Sequence, residues 1–215
     1  MTAVHNTFIQ GINSIAYHAP RVSEKKVKPF VFFCLVIIEH LHHHHSIEET
    51  FLFPAFEEKL GEGTLSKNVE QHGDFVPQME EFEVYLKDVQ SGKLAYDGKD
   101  LIARMQTFTD EMIEHLSDEI KTLDASRMRA AFTEKQLKDI DAGLMKIALK
   151  SVDFYTTMPF TVICRNPATP WFPTFPAPLK WATRWWFSWR HRAAWEFGPL
   201  DFSGRPREWY ADAMA

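Results

Sequence analysis

The sequence predicts an all-α protein: an antiparallel four-helix bundle, one additional helix, and an irregular C-terminal extension rich in Trp and Pro. Three observations lead there. Apolar residues recur at spacings of three and four along four long stretches, which is the period of an amphipathic helix. The connections between those stretches are short, so sequential helices pack side by side and antiparallel. Composition then changes near residue 151, beyond which lie all seven tryptophans and eight of the twelve prolines.

The first helix spans residues 3–19, with His5, Ile9, Ile12, Ala16 and Ala19 on one stripe, and ends near Pro20. A second begins at Pro29, a residue well suited to a first helical turn. It runs to about Leu60, stops at the Gly-Glu-Gly of residues 61–63, and is expected to kink at Pro54. Leu65, Val69, His72, Val76, Met79 and Leu86 make the third stripe, with Pro77 as a local disturbance. The fourth helix follows the turn residues Tyr-Asp-Gly-Lys-Asp and covers Asp100 to Leu123, carrying Leu101, Met105, Phe108, Met112, Leu116 and Leu123. Leu137, Ile140, Leu144 and Ile147 mark the additional helix, from about Thr133 to Lys150. The expected organisation is a bundle over 1–125, the additional helix within 126–150, and an extension over 151–215. The extension is too aromatic for a disordered linker and is expected to pack on the bundle, with a short helix near residues 179–190.

Composition excludes several functions. The net charge of −5 gives no electrostatic footprint for nucleic acid. The longest apolar run, Phe30 to Ile38, is far below the roughly 20 residues needed to cross a bilayer, so no transmembrane segment is expected. Two cysteines, Cys34 and Cys164, and a start without the basic-then-apolar layout of a signal peptide favour a reducing, cytoplasmic setting. Neither a Gly-rich phosphate loop nor a dinucleotide fingerprint is present.

Four consecutive histidines, His42 to His45, precede Glu48 and Glu49. With Glu48 at the zero of a helical wheel, His44 falls at about −40°, Leu41 at about 20°, Ile37 at about −20° and Leu52 at about 40°. His44 and Glu48 therefore face the core, while His42 and His43 face solvent. His45 lies on the flank at about 60°; its pairing with Glu49 has the same four-residue spacing, and the inward pair is preferred. His115 and Glu119 repeat that spacing on the fourth helix. The first and third helices add His5 and His72 on their apolar stripes. A single inward histidine is more often a hydrogen-bonded core residue than a ligand, so the inference rests on the set. Four imidazoles and two buried carboxylates are compensated most simply by metal, as a dinuclear site with bridging carboxylates.

On the stretches HNTFIQGIN, HHHHSIEETFLFP, NVEQHGDF and EHLSDEI, the chain resembles the hemerythrin-like, HHE cation-binding domains over residues 3 to about 123. Its extension resembles those of fungal members. The resemblance implies a hemerythrin-like bundle holding a non-haem di-iron site, with His5 and His44 on one iron, His72 and His115 on the other, and Glu48 and Glu119 bridging. It also implies a further histidine one turn after His72, where this chain has Val76, leaving six protein ligands and an open position. Two functions follow as expectations: an oxygen-dependent oxidoreductase acting on a small molecule with dioxygen as ligand or co-substrate, or a non-catalytic iron or oxygen sensor or store. A peripheral membrane contact through the tail, with Trp181, Trp185, Trp186 and Trp189 beside Arg184, Arg190 and Arg192, is the third expectation.

Overall fold

Helix α1 (Thr2–His18) buries Phe8, Ile12 and Ile15. Its inward face is thus displaced from the stripe through Ile9 and Ala16, which lie at the boundary of the core. The bulkier Phe8 and Ile15 gain more from burial and take the inward positions. The computed structural model describes the backbone of residues 1–214 and the side chains of residues 1–211. The fold is an all-α helical bundle, and no strand occurs among the described residues beyond an isolated bridge between Leu200 and Pro206.

After α1 come α2 (Val27–Ile47), α3 (Phe53–Leu60), α4 (Ser66–Ser91) and α5 (Gly98–Thr122), then α6 (Ala125–Ala131) and α7 (Glu134–Ser151). The tail contributes α8 (Thr157–Ile163), α9 (Ala177–Trp185) and α10 (Glu208–Met214). Between α2 and α3 the chain makes a single π-turn, Glu48–Leu52, closed by a hydrogen bond from the Phe53 N–H to the Glu48 carbonyl. This is the form taken by the distortion expected at Pro54. Proline has no N–H to give the carbonyl four residues back, and the preceding turn widens instead of breaking. Pro77 has a smaller effect, since α4 runs through it without interruption.

The chain falls into two compact units, Met1–His40 with Glu81–Met105 and Asp153–Ala215, and Leu41–Glu80 with Gln106–Val152. In the first, Gly11 lets α1 approach α2 closely: a Cβ there would lie 3.0 Å from Ile37 Cδ1. Gly98 is held tighter still, with a would-be Cβ 2.1 Å from the Ala19 carbonyl oxygen, to which the Tyr96 hydroxyl also donates at 2.6 Å. Phe30, Phe33, Cys34 and Ile37 fill the core. The tail residues of this unit join it: Phe197 lies 4.9 Å from Phe30, Ser14 donates to the Phe197 carbonyl, His191 stacks on Phe32 at 4.2 Å, and Trp195 is fully buried. The other tryptophans expected to pack inward largely do not, since Trp171, Trp181, Trp185, Trp186 and Trp189 are 59–74% exposed.

In the second unit, Asp124 caps α6 by accepting from the Ser126 and Arg127 N–H groups, and a reciprocal Thr133–Gln136 capping box starts α7. Leu137, Ile140, Leu144 and Ile147 are half-buried on one face of α7. Gly143 lies under Phe51, where a Cβ would stand 2.6 Å from the ring. Ser151 meets His43 Nε2 at 2.6 Å. Both cysteines are free and buried, which pushes their thiol pKa values well up. No helix of the described residues is long and apolar enough to cross a membrane.

Candidate metal centre

The end of α2, the π-turn, α4 and α5 bring titratable side chains together inside the second unit. His45, Glu48, His72 and His115 each offer a ligand atom, and these atoms lie within 4.8 Å of one another. His44, Glu48 and Glu119 do the same. Glu48 belongs to both groups and splits its oxygens between them: Oε1 is 2.9 Å from His44 Nε2 and Oε2 is 3.7 Å from His72 Nε2. His45, Glu48, His72, His115 and Glu119 are at most 4% exposed. Two carboxylates at such depth are costly to ionise unless cationic charge lies beside them.

The outer nitrogens of two imidazoles are held by acceptors, which fixes what the inner nitrogens present. His72 Nδ1 is 2.5 Å from Glu49 Oε1, so it carries the proton and donates to the carboxylate. Gln71 donates through Nε2 to Asp118 at 3.3 Å, which turns its Oε1 toward His115 Nδ1 at 3.4 Å. That nitrogen is the donor in turn. Asp118 is kept ionised, its pKa lowered by hydrogen bonds from Lys121, Lys67 and Gln71. Both Nε2 atoms then offer lone pairs, and they face each other at 3.0 Å. Two lone pairs at that distance repel unless a cation lies between them. Outer hydrogen bonds that set the tautomer and aim the inner nitrogen are typical of metal-ligating histidines. Imidazole nitrogens with carboxylate oxygens suit a first-row transition ion, so the donor set fits the implied metal.

Phe75 closes this region. It is fully buried, with ring centroids 5.0 Å from His45, 5.8 Å from His72 and 5.5 Å from His115. Val76, expected to share the face of His72, is only half-buried, and Val69 is 42% exposed. The buried face of α4 instead follows Asn68, His72, Phe75, Met79, Phe82 and Leu86.

Of the residues singled out in the sequence, His44, Glu48, His72, His115 and Glu119 meet in the second unit. His5 is buried on α1 in the first unit. His42 and His43 are half-buried and stand in neither group. The two residues of the flanking pair that the sequence ranks second, His45 and Glu49, also stand here. His45 is inside because α2 is buried over a wide arc that includes Val31 and Ile38, both at about 80–100° on the same wheel. Glu49 contributes from outside, through His72.

Residues 1–123 match the family described as the hemerythrin HHE cation binding domain. The chain is also similar to the "Dimeric xanthone biosynthesis cluster protein R11" of Cryptosporiopsis sp. (strain 8999), at 26% identity over 214 residues, covering 97% of this chain and 80% of that protein. No solved structure matches it significantly.

Proposed function

We propose that this chain, which belongs to the hemerythrin HHE cation-binding domain family, holds two iron ions and uses dioxygen to oxidise a small molecule. The observation that carries this reading is the Glu48 carboxylate, which presents one oxygen to His44 and the other toward His72, as a bridging ligand would. His44, Glu48, His72, His115 and Glu119 are the proposed ligands, and His45 joins them by its place beside His72 and His115. His5 is retained as a ligand on its place in the apolar stripe of the first helix and on the resemblance. A pair of iron ions supplies one-electron redox chemistry and coordination positions at which dioxygen binds.

The protein side chains supply the rest. Glu49 and Gln71 keep the protons of His72 and His115 on their outer nitrogens, so both present neutral donors inward. Phe75 and the surrounding core exclude water from the imidazoles. The chain has no dinucleotide fingerprint, so electrons come from the substrate or from a separate reductase. The relative is named as a protein of a dimeric xanthone biosynthesis cluster, which makes phenolic aromatics the first substrates to try.

Metal analysis of untagged protein, with oxygen consumption measured against a panel of phenols and reductants, tests the proposal. Two irons per chain and oxygen uptake that is lost in Glu48→Ala support it. Two irons without uptake under any condition make the protein a sensor or store, and absence of bound metal overturns both readings.

A further inference from the structure

The tail holds a surface that the metal centre does not account for. From Phe154 to Trp195 there is no Asp or Glu, whereas Arg165, Lys180, Arg184, Arg190 and Arg192 all fall there, in a chain whose net charge is −5. The polarity of the same stretch is inverted. Thr183 of α9 is fully buried and bonds back to the Leu179 carbonyl at 2.8 Å. Ser188 is buried and bonds back to the Arg184 carbonyl at 2.9 Å. The large apolar side chains are the exposed ones: Trp181 and Trp185 lie on the side of α9 opposite Thr183, and with Trp186 and Trp189 they are between 59% and 74% exposed. Soluble surfaces rarely gather so many exposed indoles without an occupant.

A cavity of about 370 Å³ opens within this surface, lined by Arg165, Lys180, Arg184, Trp181 and Trp185 among others. The Arg165 guanidinium packs against Gly204, where even a Cβ would collide with Nη2. Its Nε is buried and has no hydrogen-bond partner among the described residues. An arginine so placed, with two further cations at the rim and no acid in the lining, is arranged for an anionic group such as a phosphate.

We propose that this face is a peripheral membrane-binding surface for anionic lipid, with the tryptophans in the interfacial layer and a headgroup phosphate in the Arg165–Lys180–Arg184 cavity. Indole rings, apolar with one polar N–H, partition to the boundary between headgroups and acyl chains, and neighbouring cations add attraction to anionic leaflets. A symmetric pair of copies is disfavoured, because an isologous contact through this face sets Arg165, Lys180 and Arg184 against the same three cations. The inference is independent of the metal reading, since all of its residues lie in the first unit.

The test uses the full-length protein with vesicles of phosphatidylcholine alone or mixed with phosphatidylglycerol, read by flotation and by tryptophan emission. The expected result is binding and a blue shift with the anionic vesicles only, weakening at high salt. Lys180→Gln and Arg184→Gln should each lower partition about fivefold. Trp181→Ser with Trp185→Ser should weaken binding and reduce the blue shift to what Trp186 and Trp189 contribute, while circular dichroism stays unchanged, since both replaced side chains are largely exposed. Arg165→Gln should reduce the preference for phosphatidylglycerol. No binding to anionic vesicles at low salt overturns the proposal. So does equal binding to both vesicle types, or self-association that Trp181→Ser abolishes in the absence of vesicle binding.

Discussion

Glu49 accepts a hydrogen bond from His72 Nδ1–H at 2.5 Å, and while the histidine is 3% exposed the carboxylate side chain is 42% exposed. A surface residue thus sets the tautomer of a buried imidazole. Glu49→Gln keeps the shape but weakens the acceptor, and should lower metal affinity by roughly 10–100-fold without changing the helical content. Glu48→Ala should remove bound metal, and His42→Ala should leave it unchanged. Chelator competition and elemental analysis check all three.

Much of this site was legible in the sequence, because helical phase alone placed His44 and Glu48 together. Phase failed where residue type misled. From Leu65, just before α4, the positions Leu65, His72, Met79 and Leu86 repeat every seven residues, as do Asn68, Phe75, Phe82 and Val89, and all eight are buried. Apolar type alone points to Val69 and Val76, four residues after Leu65 and His72, and the polarity of Asn68 masks the second seven-residue series. Burial of the tryptophans was not legible from composition, since the same indoles serve a core or an interface. The inward Thr183 and Ser188 decide between those uses only once the backbone is known.

Phe75→Ala should cost about 3–5 kcal/mol, the range for emptying a well-packed aromatic site. Val76→Ala, at a half-buried position, should cost much less. Urea unfolding of the metal-free protein checks the difference and keeps packing separate from metal binding.

His18 lies among Tyr17, Phe30, Phe197 and Trp209. Burial, followed by the charges of Arg207 and Arg21, lowers its pKa from 6.5 to about 4. Between those values the unfolded chain binds a proton that the folded chain refuses, so this group makes stability fall as pH drops through that window. Below about pH 4 both states are protonated and the contribution is flat. His18→Gln should therefore show a shallower decline of Tm between pH 6.5 and 4, measured by thermal scans in matched buffers.

Trp195 and Trp189 should respond oppositely to truncation. Trp195 is 1% exposed, and its replacement by Ala should cost about 3–5 kcal/mol. Trp189, at 74% exposed, should change stability by no more than about 0.5 kcal/mol when replaced by Ser. Paired urea titrations check both.

The π-turn at Glu48–Leu52 has a genetic consequence. It holds the extra residue that a regular α-helix would not accommodate, so the segment after it is rotated by about 100° from where an uninterrupted helix would carry it. Loss of one codon among positions 49–52 would let the helix close regularly. Glu48 would stay where it is, and Phe53 and Phe56, buried in this unit, would keep their present phases, with Phe56 still against Phe132 at 5.8 Å. Loss of one residue in this turn is therefore tolerated in phase where gain of one is not, and the π-turn reads as a one-residue insertion between Glu48 and Pro54 that leaves α3 in the place a shorter, regular helix would give it.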